Sequence, residues 1–380
     1  GRGSPVADAF DVDYVGHEMG HQFGGNHSFN GNARSWGGGN RNMATPYEVG
    51  SGSTIMAYAG ICGAQNLQPN SDDYFHVINL QEIITYTTTG NGNNCPVPTA
   101  TGNQPPVVDA GPAFNIPSRT PFALTASGSD PDGHPLTYLW EEFDLGPAGD
   151  GNTDNGSSPI LRSFKAPLTG STRVFPKLSD ILNNVSSYGE KLPTTTRTMQ
   201  FKVSARDNRA AGGGVDWDQT SVSVTAAAGP FVVAAPNTPV TWQAGQQQTV
   251  TWNVAGTSAA PIGTANVTIA LSTDGGLTFP TTLAASTPND GSQAITVPSL
   301  ATTTARVRVS AVGNVFFDVS DANFTISTAP AALMVPMTLS VDLTGNRVLE
   351  PGDNALVQPA WRNAGTGPLT GSTAALSAFT

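Results

Sequence analysis

Residues 17–27 read HEMGHQFGGNH and hold three of the five histidines of a 380-residue chain. Their spacing decides what this part of the chain is built for. On a helix, His17 and His21 stand four residues apart and project from one face about a turn from each other. Two imidazoles so placed can share one metal ion. Glu18 lies between them in sequence, set to contact water at the metal rather than the metal itself, as a general base must be. Gly24 ends the helix and lets the backbone turn through a conformation difficult for other residues. His27 then reaches the same ion as a third ligand. Three protein ligands with one position open is the arrangement of a catalytic zinc site, not a structural one. The enclosing stretch DVDYVGHEMGHQFGG places Val12, Val15, Met19 and Phe23 on an apolar helical stripe, with Asp11 as candidate N-cap.

The extended pattern HExxHxxGxxH resembles the zinc-binding motif of metzincin metallopeptidases. That family carries a methionine-containing turn beneath the metal. SGSTIMAYAG at 51–60 is similar to it, which makes Met56 the turn methionine and an apolar floor under the histidines. The segment looks most like the bacterial reprolysin-like (adamalysin-like) peptidases. The resemblance implies a zinc-dependent endopeptidase acting on proteins or peptides. His17, His21 and His27 would be the ligands, and Glu18 the general base and then acid. By the same similarity Tyr58 is a further ligand or an oxyanion stabiliser; the alternative is a tyrosine packed in the turn. Ser28 departs from the pattern, which has an aspartate after the third histidine. Metzincin catalytic domains have a twisted sheet with helices ahead of the motif, whereas sixteen residues precede His17 here. The expectation is that residues 1–97 are the lower (C-terminal) subdomain of an α+β catalytic domain. Its upper half would lie outside this chain, leaving peptidase activity of the chain alone weak or absent.

Composition describes the remainder. Gly (42) and Pro (29) are abundant and charged residues make up 12%, a texture of short strands and turns. A net charge of −11 excludes a nucleic-acid binder, since nothing would neutralise phosphates. No apolar run approaches the ~20 residues that span a bilayer. The two cysteines, Cys62 and Cys95, are read as one disulfide of an exported protein, with two reduced structural thiols as the alternative. His76 is read as a structural or surface histidine.

Residues 98–106 form a linker, and the expected fold beyond it is all-β. A first immunoglobulin-like sandwich spans 107–228. Its strands include PLTYLWEE, with Leu136, Tyr138 and Trp140 on one face, and TMQFKVSARDN with TSVSVTA; a long insertion lies between. A second sandwich spans 229–328, with a hairpin turning at Asp274–Gly275–Gly276. Residues 329–380 open a further sandwich that is cut short. SGSDPDGHPLTYLWEE resembles the opening of bacterial PKD-like and cadherin-like repeats, making Asp130 and Asp132 candidate calcium ligands against a metal-free Asp-Pro-Asp-Gly turn. Asp342, Glu350 and Asp353 are read in the same way. The expected protein is secreted or on a bacterial cell surface. Zinc is its cofactor, with calcium as a candidate second metal, and its modules serve for spacing or for attachment to surface glycan or protein. The alternative is an adhesion or surface-binding protein with a remnant peptidase region. Glu18, intact between intact ligands, favours the enzyme.

Overall fold

The N-terminal region holds little regular structure, and what it has is built around α1 (His17–Gln22). A wider π-type turn, Asp11–Gly16, feeds directly into this helix. In the computed structural model, which describes residues 10–33, 39–94, 96–328, 334–343 and 355–365, Asp11 is not the N-cap. Phe10 occupies that place in helical conformation, without a side-chain cap. Asp11 lies instead in the first turn, where its charge still suits the positive helix end.

The apolar stripe also differs from expectation. Val15, Met19 and Phe23 are exposed, whereas His17 and Gly20 are buried. Close packing on the other side explains this. A Cβ at Gly20 would overlap Met56 Sδ and lie 3.0 Å from the Phe75 ring. The helix presents its smallest residue to the turn below, and the larger apolar residues are left on the outer side.

A second helix, α2 (Val77–Thr88), is capped by the His76 side chain, which accepts from the Ile78 amide at 3.2 Å. Between the helices the chain folds on itself. Phe29 and Glu48 make an isolated parallel bridge, with Asn30 N donating to Glu48 O at 2.7 Å and Glu48 N to Ser28 O at 2.8 Å.

The remainder is β-sandwich. In the first module, β1 (Val107–Asp109) pairs with β4 (Ser127–Ser129), and β3 (Phe122–Thr125) with β6 (Thr172–Phe175). β2 (Phe114–Pro117), β8 (Val215–Thr225), β7 (Arg197–Arg206) and β5 (Thr137–Glu142) form the larger sheet in that order. In the second module, β10 (Thr241–Gln243), β17 (Phe324–Ser327), β15 (Thr302–Ala311), β12 (Asn266–Ser272) and β13 (Thr281–Pro288) face β14 (Ser292–Thr296), β11 (Gln247–Asn253) and β9 (Val232–Ala235). A short β16 (Phe317–Val319) joins β15. In each module an early strand lies parallel to the last: β2 to β8, and β10 to β17. β12 and β13 pair antiparallel around the expected turn, with positive φ at Gly275 and Gly276. Alternating inward residues fill both interiors, Trp140 and Trp252 among them, and one apolar core runs from Phe122 to Phe316 across the junction. Beyond these, β18 (Met334–Leu343) pairs with β19 (Ala355–Asn363). Asp342 belongs to that strand, while Glu350 and Asp353 lie outside the described residues.

The insertion of the first module is packed rather than loose. It carries a short helix, α3 (Leu178–Leu182), and buries Ile160 and Leu161. The Ile160 and Leu161 amides donate to Glu142 Oε2, and Arg197 pairs with Glu142, Asp144 and Asp154 in the interior. This insertion meets the N-terminal region. Asn30 Nδ2 donates to Pro147 O, Gly149 N to Asn30 O, and Tyr74 Oη to Ser163 Oγ.

Candidate metal centre

The three histidines converge through their Nε2 atoms. His27 Nε2 lies 3.2 Å from His17 Nε2 and 3.1 Å from His21 Nε2. The opposite ring nitrogen of each is held by a backbone carbonyl. His17 Nδ1 donates to Ile55 O at 2.7 Å, His21 Nδ1 to Gly25 O at 2.8 Å, and His27 Nδ1 to Asn40 O at 2.5 Å. A proton kept on Nδ1 leaves the Nε2 lone pair free, and all three lone pairs face one point. Burial lowers the pKa of His17 and brings that of His27 down to about 4. Both rings are therefore neutral at pH 7, as metal ligation requires. Three imidazole nitrogens fixed by backbone carbonyls are a donor set that suits zinc.

Local backbone chemistry makes the convergence possible. The helix ends where Gly25 N donates back to Gly20 O at 2.8 Å, and Gly24 takes φ +91°. Only glycine adopts that conformation freely. The chain then reverses, and Asn26 is pinned to α2 by Glu82, which accepts both its amide N–H and its side-chain Nδ2. Asn26 thus spends its side chain on this anchor. Below, the turn 51–60 closes through Tyr58 N to Ser51 O and Ala57 N to Thr54 O. Met56 is wholly buried beneath α1 against Gly20 and Gly25.

Glu18 is exposed on α1, clear of the three anchors. Tyr58 is half-buried. Its ring stacks on Phe29 and meets His27 edge-on at 4.7 Å. Burial raises the Tyr58 phenol above its ordinary range, so it remains a hydrogen-bond donor at neutral pH.

One residue has no signal in the sequence. Glu48 is buried, and both its oxygens are filled. Oε1 accepts from Ser28 Oγ and Thr54 Oγ1, and Oε2 from the Ser53 and Thr54 amides. Burial pushes its carboxyl up, and these four donors pull it back towards the ionised form. A lone glutamate in a polar stretch has no spacing to mark it; only the fold brings it beside the residue after His27.

Cys62 is buried and its Sγ contacts Tyr58 O; the expected Cys62–Cys95 bridge falls on Cys95, which lies outside the described residues. Cys62 packs with Phe29 in a small apolar cluster, and burial keeps it protonated. In the first module, Asp130 is brought together with His134 and Asp207, all within 4.8 Å, whereas Asp132 is exposed and accepts from the Gln104 amide. A mixed imidazole and carboxylate cluster is not the all-oxygen set that calcium selects. His76 is buried, not superficial, and it faces Glu141 rather than the other histidines.

Among the described residues no helix is long and apolar enough to cross a membrane. Residues 1–86 match the family model described as metallo-peptidase family M12B, reprolysin-like. No curated protein matches the chain. Among solved structures, tandem Ig repeats of Dlar are 11% identical, covering 59% of this chain and 98% of that one at a TM-score of 0.31. The FN1–FN3 domains of chicken CNTN1 are 13% identical, covering 57% and 64% at 0.22. The D1–D4 ectodomain fragment of ICAM-5 is 14% identical, covering 68% and 75% at 0.19.

Proposed function

We propose that the chain is a zinc-dependent endopeptidase, with zinc held by His17, His21 and His27 and the β-sandwich modules serving for spacing or attachment outside the cell. The observation that carries this reading is the convergence of three Nε2 atoms whose Nδ1 partners are all backbone carbonyls. The match of residues 1–86 to reprolysin-like metallo-peptidases supports it. Zinc, when bound, lowers the pKa of water at the open position and polarises a carbonyl.

The chain's own residues supply the rest. Glu18 takes the proton from the attacking water and hands it to the leaving amine. Tyr58, protonated and edge-on to His27, is given the role of donor to oxyanion charge as it develops. Met56, packed close against Gly20, holds α1 down on the turn.

Two measurements test this: the zinc content of the purified chain, and cleavage of an unfolded protein substrate by the full-length protein. The reading predicts one zinc per chain. In Glu18→Ala the zinc is retained while cleavage falls by about 10²-fold or more, the usual loss for a general base. Zinc uptake with an unchanged rate in Glu18→Ala would overturn the role given to Glu18.

A further inference from the structure

Resting on the assignment of His17, His21 and His27 as metal ligands, we propose that Glu48 is a positioning residue of the metal centre. Its carboxylate locks the segment after the third ligand to the methionine turn, and so sets where His27 and His17 stand relative to each other.

The geometry is two-sided. Ser28, next to His27, donates its hydroxyl to Glu48 Oε1 at 2.5 Å. From the other side, Thr54 donates its hydroxyl to the same oxygen at 2.5 Å, and the Ser53 and Thr54 amides donate to Oε2 at 2.7 and 3.1 Å. Residue 55 follows immediately, and the Ile55 carbonyl holds His17 Nδ1. One carboxylate therefore joins the backbone beside one ligand to the backbone that orients another. The site is shaped for it. Gly52 has φ +65°, and a Cβ there would lie 2.9 Å from Glu48 Cδ, so only glycine admits the carboxylate this close. Backbone pairing repeats the same link, with Glu48 N donating to Ser28 O and Ser28 N to Met56 O. Glu48 supplies, from across the bridge, the carboxylate that Ser28 lacks.

Glu48→Gln keeps the volume but replaces an acceptor of four hydrogen bonds with an amide whose NH2 group confronts donors. The probes are Zn2+, titrated against a chelator, and Co2+, read by its visible absorption. Outer-shell partners of ligating histidines typically govern 10–100-fold in metal affinity. We expect the Kd for Zn2+ to rise by about that factor in Glu48→Gln, with a changed Co2+ spectrum. Adding Ser28→Asp to Glu48→Gln returns a carboxylate to the same contact and is expected to restore most of the affinity. A merely structural role would lower the thermal midpoint without altering the Co2+ spectrum or being rescued. If Glu48→Gln does not fold, Ser28→Ala and Thr54→Val each remove one donor and are expected to cost a few-fold in Zn2+ affinity. Wild-type affinity and spectrum in Glu48→Gln, or in both single-donor variants, would overturn the proposal. A wild-type chain that binds neither metal would overturn the assignment of the three histidines first, and the role of Glu48 with it.

Discussion

His17 Nδ1 lies 2.7 Å from the carbonyl oxygen of Ile55, the residue before Met56. One hydrogen bond thus ties α1 to the turn that holds Met56 across 38 positions of sequence. It holds only while α1 stays pressed against that turn, and the contact that permits this is the bare backbone at Gly20.

Gly20→Ala therefore acts as a wedge. Its Cβ would overlap Met56 Sδ and crowd Phe75. Overpacking a filled site costs about 1–3 kcal/mol. The account expects a lower thermal midpoint and weaker Zn2+ binding together, read by calorimetry and chelator competition. A variant as stable and as tight as wild type would mean that the helix does not rest on Met56.

Gly24→Ala tests the return of the chain. At φ +91° any side chain is strained, and a Cβ would sit 2.9 Å from Tyr86 Cβ. Backbone strain of this kind is worth about 1–3 kcal/mol. Because the reversal delivers His27, the loss should fall mainly on Zn2+ affinity, with the sandwiches unaffected. Titration of the variant decides it, and unchanged affinity would show that His27 does not depend on this turn.

Arg41 links the histidine cluster to the first sandwich. It donates through Nε and Nη2 to Asn30 Oδ1 and through Nη2 to Gly146 O, and it follows Asn40, whose carbonyl holds His27. Arg41→Ala is expected to cost about 1.5–3 kcal/mol, the range for hydrogen bonds from a charged donor, and to weaken Zn2+ binding although Arg41 is no ligand. Chemical denaturation monitored beside a Zn2+ titration reads both. Loss of stability with full Zn2+ affinity would confine Arg41 to the module contact.

Stability should fall as pH rises above neutrality. Burial pushes the Glu141 carboxyl from 4.5 up to about 8 and brings His76 from 6.5 down to about 3. The two face each other at 3.7 Å without a hydrogen bond, and burial favours the neutral form of both. Between 3 and 6.5 the unfolded chain binds the His76 proton that the folded chain refuses, so His76 makes stability rise with pH. Between 4.5 and 8 the unfolded chain has released the Glu141 proton that the folded chain keeps, so Glu141 makes stability fall. The slopes oppose each other up to 6.5, and beyond it that of Glu141 stands without its counterpart, at up to ~1.4 kcal/mol per pH unit. Urea midpoints between pH 6.5 and 8 should decline in wild type and less steeply in Glu141→Gln. Equal slopes in the two would show that Glu141 does not hold its proton.

Cys62 should resist thiol reagents while the protein is folded. It is 1% exposed, and burial raises its thiol to about 12. Alkylation followed by peptide mass analysis should label it only after unfolding, without a reductant. Labelling that requires reduction would show that the Cys62–Cys95 bridge forms.

The convergence of His17, His21 and His27 was legible because it is written in their spacing. Two histidines a helical turn apart and a glycine before the third bring the rings together whatever the detail of packing around them. The strands of the sandwiches were legible through alternation, as at Tyr138 and Trp140. The helix stripe at Val15, Met19 and Phe23 misled, because periodicity shows that one face is apolar but not which face is covered. Here the close approach of Gly20 to Met56 turned the larger residues outward. Glu48 and the three carbonyl anchors were invisible for a different reason. Backbone acceptors carry no residue identity, and a single glutamate becomes informative only when the fold brings Ser28 and Thr54 to it.

The most direct test of the account is the metal content of the purified chain, by elemental analysis after dialysis against metal-free buffer, beside His21→Ala. The account predicts one zinc per chain in wild type and none in the variant. Zinc retained in His21→Ala, or absent from a folded wild-type chain supplied with it, would contradict the assignment of His17, His21 and His27 as a metal centre.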